Sequence, residues 1–562
     1  MTYTLGLDYG TNSCRALLVN LDTGQTAAES VFDYPSGESG VLLDPADPHV
    51  ARQSVKDYID GLEQIVPGVL REARQLIPGF SADAVVGIGI DTTGSTVFAV
   101  DGRCVPLALQ SEFAGQLAAE SWLWKDHSSH AEAAEITALA RDWQTDYITS
   151  VGGVYSSEWF WSKALHLLRS APEVFEKTES LVELCDFLPA ILCGVTNPRD
   201  IKRGICSAGH KALFDASRGG LPDSDFLGTL APELAELRPR LFDNAHTSNE
   251  IAGTLCDEWS DKLGLQKDIP IAVGAFDAHM GAVGAGIKEG RLVKILGTST
   301  CDIMVSPKNG PAPAISGICG VVDGSVLPGY WGIEAGQSAV GDIFLWYVNR
   351  HVPTGYGDTV KERFERLERE ALSVRPGASG LVGLDWHNGN RTILVDPLLS
   401  GAMLGYSLQS TPGEVYRALI ESTAYGALKI IERIEGGGVD VQEVVCCGGL
   451  SVRNQLLLRV YADVTGRPMR ISAVDQTCAM GAAIFAGAAA GVGTIEELQS
   501  RATRLSDVVF EPASEAHKVY REVYELYSDC HDAFGATDGA LSHVMKRLIT
   551  IRNAERGKSK DA

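Results

Sequence analysis

Two hairpins of one design open the two halves of this chain, and they constrain its fold more than any other feature. The first is GLDYGTNSCRALLVN, from Gly6 to Asn20; the second is LVKILGTSTCDIMVS, from Leu292 to Ser306. In each, an apolar run fit for a buried strand stops at a Gly-Thr step followed by small hydrogen-bonding side chains, and a second apolar run returns. One Gly-Thr turn between strands is common. Two of them, spaced so far apart, predict duplicated domains facing a shared cleft, with turns whose amides and hydroxyls suit phosphate oxygens. The length agrees, because 562 residues are too many for one hydrophobic core.

The rest of the pattern is α/β. AVVGIGIDTTGSTVFAVDG, from Ala84, reads as a buried strand, a polar turn from Asp91 to Ser95, and a second strand. IPIAVGAFDAHMGAVGAG reads as a strand that breaks at Gly274 into a small-residue helix starting near Asp277. VQEVVCCGGLSVRNQLLLRVYADVTG reads as a strand, a turn at Gly448-Gly449, and one amphipathic helix ended by Gly466 and Pro468. AMGAAIFAGAAAGVG, from Ala479, is too short and alanine-rich to span a bilayer and reads as a packed core helix. The expected division is 1–286, 287–550 and a frayed polar tail, 551–562.

A net charge of -24 argues against a sequence-independent grip on nucleic acid and against docking on an anionic membrane. It leaves room for a nucleotide, since a local arginine, a metal ion and backbone amides outweigh a distant field. The 12 cysteines include no CxxC pair, and several sit in apolar runs, as small buried hydrophobes do in a reducing compartment. MTYTLGL has no basic region ahead of an apolar stretch, so no secretion signal is expected and the expected location is the cytoplasm.

Neither a GxxxxGK[ST] loop nor a GxGxxG turn occurs, so any ATP must be held without a lysine-bearing phosphate loop. In the first hairpin Gly10 permits a tight turn, Thr11, Asn12 and Ser13 offer amides and hydroxyls, and Asp8 is placed to hold a magnesium ion through water. The plain alternative is a polar surface turn. Asp277, at a strand-to-helix break among small residues, reads equally as an N-cap and as a general base. His279 suits a core or capping histidine better than a ligand. Gly448 and Gly449 admit a flat ligand against the backbone, with Asn454 a helical turn beyond Leu450, although many strand-to-helix turns look the same.

GLDYGTNSCRA, GAFDAHMGAVGAG, GTSTCD and VVCCGGLSVRNQ, in this order, resemble the FGGY carbohydrate kinases over roughly Tyr3 to Ala533. WLWKDHSSHAEAAEI, GGVYSSEWFWSK, RGICSAGHKALF and LDWHNGNRT point, within that family, to the branch acting on L-ribulose in L-arabinose catabolism. The chain departs from the common family pattern at His127-Ser128, which follow Trp124-Lys125-Asp126, and at His166, Tyr406 and Leu419. The resemblance implies a two-domain actin/hexokinase-like (ribonuclease H-like) fold with an inter-domain cleft that closes over a small-molecule sugar. It implies ATP with Mg2+, the transferring phosphate near Gly10, Thr11, Asn12 and Arg15, with Thr298 and Ser299 approaching from the other half. Gly448, Gly449 and Asn454 would border the adenosine, and Gln337 would line the phosphate side. Thr96, Lys211 and Glu334 would orient the sugar, and Asp277 would take the proton of its terminal hydroxyl. Homodimerisation is left open. The competing expectations are a kinase for another pentulose or polyol, an ATPase module of the same superfamily with no sugar substrate, and a sugar sensor.

Overall fold

The structure, a computed structural model, describes residues 1–558. Its first half is built on a mixed sheet of β1 (Tyr3–Tyr9), β2 (Ser13–Asn20), β3 (Gln25–Asp33), β4 (Val85–Thr92), β5 (Ile251–Thr254) and β6 (Pro270–Ala272), with the short strand Ala275–Phe276 also pairing β4. The order across it is β5-β6-β4-β1-β2-β3. β1 runs parallel to β4, which runs parallel to β6, while β2, β3 and β5 are antiparallel to their neighbours. The helix α1 (Val55–Leu76) covers one face with Val55, Leu62, Ile65, Val66 and Val69, spaced to share one side of a helix. The helix α2 (Asp277–Gly284) follows the short strand without a loop.

The second half repeats this plan. Its sheet comprises β7 (Arg291–Leu296), β8 (Thr300–Pro307), β9 (Gly320–Asp323), β10 (Tyr330–Ala335), β11 (Glu443–Cys447), β12 (Met469–Ser472) and β13 (Leu505–Phe510), ordered β9-β10-β8-β7-β11-β12-β13. From β10 to β13 the senses are antiparallel, antiparallel, parallel, parallel, antiparallel, which is the sequence found from β3 to β5 in the first half. The echo between the two hairpins is therefore a repeat of whole sheets. The buried helix α3 (Pro412–Gly436) opens with a capping box at Thr411 and Glu414 and packs on the second sheet's core.

The two halves meet through α4 (Thr477–Ala489), a buried helix from the second half that lies on β1 and β4 of the first and against α2. Its small residues are required by contact between backbones. A Cβ added to Gly481 would stand 1.9 Å from the Met280 carbonyl oxygen, one added to Gly6 1.8 Å from that of Ala479, and one added to Gly89 2.0 Å from that of Ala482. The apolar run from Ala479 is thus a core helix, as its composition indicates, and among the described residues no helix is long and apolar enough to cross a membrane.

Two local expectations are corrected. The run after Gly448 is two helices, Gly449–Arg453 and Gln455–Thr465, because Asn454 leaves helical geometry and caps the second by accepting from the Leu457 amide at 2.9 Å. The frayed tail expected from 551 is helical as far as Lys558, continuing Ser542–Lys558. That helix is moored near its start by buried Met545 and by Lys546, which pairs with Asp396 at 2.6 Å, and its polar end is rich in good helix formers. The four residues after Lys558 lie outside the described part.

Candidate active site

Where the two hairpins face one another, a cavity of about 230 Å³ lies between the halves. Thr11 reaches it from the first turn, and Gly297, Thr298 and Ser299 from the second; Asp277 and His279 come from the start of α2, and Lys211 and Glu334 from the two halves. The turns are alike in detail: the Gly10 amide donates to the Ser13 carbonyl and the Gly297 amide to the Ser299 carbonyl, both at 3.0 Å. Thr11 is fixed at both ends of the residue. Gln53 donates to its carbonyl at 2.7 Å and the Trp124 indole to its hydroxyl at 3.1 Å. The Trp124 ring is capped at 5.4 Å by the guanidinium of Arg391, which pairs with Glu158 across the halves at 3.2 Å.

Asp277 is the first residue of α2, so its carboxylate stands at the end of the short strand with one oxygen taking only its neighbour's amide, that of Ala278, at 2.6 Å. Burial raises its pKa to about 7, and the carboxylates of Asp8 and Glu334 push the same way against that amide. An acid half ionised near neutrality, facing a polar cavity, is suited to take a proton from a hydroxyl. The N-cap reading of Asp277 is corrected: Phe276 takes the cap position with no side-chain cap bond, and Asp277 is the first residue inside the helix, facing the cavity.

Lys211 and Glu334 form an ion pair at 2.7 Å. Burial alone would raise the Glu334 carboxyl; the Lys211 ammonium overrides it and holds the group down at about 2, so it is ionised at neutral pH. Burial lowers His210 to about 3 and His279 to about 4, so both rings beside it are neutral. An ammonium and a carboxylate fixed together offer donors and an acceptor to a polyhydroxylated ligand.

At the base of the first turn, register sets Asp8 opposite Asp91 on β4 and opposite Arg15 on β2. Arg15 pairs with Asp8 at 3.3 Å. Burial raises both carboxyls, and neither oxygen of Asp91 has a protein partner. Oxygens of Asp8 and Asp91 and the Cys478 sulfur lie within 4.8 Å of one another. Two buried carboxylates, one with both oxygens unpartnered, are a donor set fitted to a hard cation. Asp91 was absent from the sequence candidates, although its place at a strand end before a polar turn matches that of Asp8.

Several candidates do not line this cavity. Thr96 is fully buried behind the cavity wall, its hydroxyl donating to the Thr93 carbonyl at 2.9 Å, while Gly94 and Ser95 line the cavity in its stead. Gln337 is locked below the surface, its amide nitrogen donating to Asp385 at 2.8 Å and to the Thr423 carbonyl at 2.9 Å. Asn454 spends its side chain on the helix cap and on Tyr416, to whose hydroxyl it donates at 3.1 Å. Gly448 and Gly449 are exposed; Gly448 has φ +90°, and a Cβ there would stand 2.5 Å from the Leu296 carbonyl oxygen. Asn12, also exposed, donates to the Ser39 carbonyl at 2.5 Å.

The sequence matches the N-terminal domain model of the FGGY family of carbohydrate kinases over residues 3–284 and the C-terminal domain model over 292–490. The chain belongs to the FGGY family of carbohydrate kinases. Among curated proteins this kinase is 39% identical to a ribulokinase of Halalkalibacterium halodurans, covering 98% of both chains, and 42% identical to one of Vibrio parahaemolyticus, covering 87% of this chain and 88% of the relative. Its fold is that of solved sugar kinases: a xylulose kinase from Rhodospirillum rubrum superposes with a TM-score of 0.77 at 22% identity, over 95% of this chain and 99% of that one. A Plasmodium falciparum glycerol kinase solved with ADP gives 0.75 at 14%, over 94% and 98%. This carbohydrate kinase therefore has the actin/hexokinase-like architecture expected of it.

Proposed function

We propose that the protein transfers the γ-phosphoryl group of ATP to the terminal hydroxyl of L-ribulose, giving L-ribulose 5-phosphate, in the cytoplasm. The observation that carries this reading is Asp277, an acid with a pKa of about 7, in a cavity bounded by the two Gly-Thr turns and by the Lys211–Glu334 pair. The names of the near-full-length relatives favour ribulose among the sugars. Asp277 accepts the proton of the attacking hydroxyl. Lys211 and Glu334 hold the sugar's carbonyl and hydroxyls, and Thr11, Thr298 and Ser299 receive the phosphate oxygens, with Arg15 nearby for their charge. Asp8, with Asp91 beside it, would hold magnesium, which supplies further neutralisation of phosphate charge. Phosphoryl transfer leaves little covalent work to the protein, so positioning and charge account for most of the acceleration. Residues 1–286 and 287–550 are the two working halves in this reading.

The test is ADP release by the purified protein with magnesium and ATP, across L-ribulose, D-ribulose, D- and L-xylulose, ribitol and glycerol. A rate seen with L-ribulose and near zero without sugar is expected. A rate independent of sugar would replace this reading with an ATPase module. A second expectation concerns Trp124: Trp124→Phe keeps a ring beneath Arg391 but releases the Thr11 hydroxyl. Its KM for ATP should rise by about tenfold, as loss of one or two kcal/mol of hydrogen bonding dictates, while its melting temperature hardly moves. An unchanged KM would remove Thr11 from the phosphate contacts.

A further inference from the structure

His279 lies in the first turn of α2, two residues past Asp277, with 2% of its surface exposed and its ring on the cavity wall. Neither ring nitrogen has a hydrogen-bond partner in the protein. Buried polar groups are almost always satisfied, and one left open beside a cavity calls for a ligand atom. Its neighbours narrow the choice. The Glu334 oxygen Oε2, itself without a partner, stands 3.8 Å from His279 Nε2, too far for a direct bond. The His210 ring lies 4.8 Å from the His279 ring, with its own Nε2 engaged by the Ser325 hydroxyl at 3.0 Å.

We infer that His279 is a specificity-determining contact for the sugar, sharing one of its hydroxyls with Oε2 of Glu334. This rests on the sugar kinase reading above. The hydrogen-bond directions select the group. A carboxylate only accepts, and an imidazole with a proton on Nε2 donates there. The atom between them must accept from His279 and donate to Glu334, which a hydroxyl does and a carbonyl oxygen does not. Lys211, which can only donate, remains at the other oxygen of Glu334 for the carbonyl. Two histidines and a carboxylate within 4.8 Å also resemble a zinc donor set. The Lys211 ammonium, 2.7 Å from Oε1 of the same carboxylate, opposes a divalent cation there, so the hydroxyl is the better occupant.

The experiment compares the wild type with His279→Phe, using L-ribulose and its monodeoxy analogues in the ADP-release assay. The wild type should reject one analogue, the one lacking the shared hydroxyl, by on the order of 100-fold in kcat/KM, since a site built around a hydroxyl penalises its absence. In His279→Phe the KM for L-ribulose should rise about 10- to 100-fold with kcat within about threefold, and the rejection of that one analogue should shrink to a few-fold. A merely structural role would weaken all the sugars alike. If the phenylalanine variant does not fold, His279→Asn provides the same comparison, with the same expected loss of discrimination. Discrimination unchanged in the variant that folds overturns the inference and leaves the kinase reading standing. So does zinc retained through dialysis at one ion per chain and inhibiting in competition with the sugar. A wild type inactive on every ketopentose overturns the substrate reading, and this contact with it.

Discussion

Asp277→Asn should lower kcat with L-ribulose by about 10³-fold while leaving the KM for the sugar within a few-fold, because an amide fills the same space and accepts no proton. The accompanying pH profile has a definite sign. Burial and two neighbouring carboxylates hold the Asp277 carboxyl at about 7, so it is protonated and idle as a base below that value and ionised above it. The wild-type kcat/KM should therefore climb with pH up to about 7 and level off beyond it, and that limb should vanish from the residual rate of the asparagine variant. The Glu334 carboxyl, held at about 2 by Lys211, contributes no limb in this range. Full turnover in Asp277→Asn would mean that another group takes the proton.

Gly481→Val should be severely damaging to folding. The Cβ position of Gly481 lies 1.9 Å from the Met280 carbonyl oxygen, and no rotamer can relieve a clash with backbone. Either α4 lifts from α2 or the sheet beneath it shifts, at a cost of more than about 4 kcal/mol, in the range where overpacking of a core becomes severe. The melting temperature should fall by at least about 4 °C, or the soluble protein should be lost. Gly436→Ala is the control: nothing lies within 4 Å of its Cβ position, so its melting temperature should stay within a degree or two of the wild type. Equal behaviour of the two variants would contradict the close backbone packing of α4.

How much of this could be read in the residues depended on the range of the interaction. The duplicated hairpins were legible because strand, turn and strand are local patterns, and they led to the two sheets of matching order. Asp277 reads in the sequence as an N-cap or a general base; the cap falls to Phe276, and Asp277 stands just inside the helix facing the cavity. Thr96 was misplaced by one residue. Ser95 adopts φ +56°, which turns the chain so that the buried Ser95 lines the cavity and Thr96 faces away from it, and no side-chain pattern announces a left-handed serine. The side chains of Gln337 and Asn454 are held by partners no local pattern shows, Asp385 and Tyr416, 48 and 38 residues away along the chain. Asp91 escaped notice because its importance comes from register, being set opposite Asp8 by strand pairing alone.

The seam between α4, α2 and the first sheet carries a mechanical consequence. Large interlocked side chains resist sliding, since each must leave its rotamer before the next position is reached. Here glycines and alanines bring backbone against backbone, with carbonyls passing within touch of bare α-carbons, while Met280, Ile484 and Phe485 pack around them. The seam fixes how closely the two lobes approach: a single methyl group added at Gly6, Gly89 or Gly481 would have to push one lobe off the other.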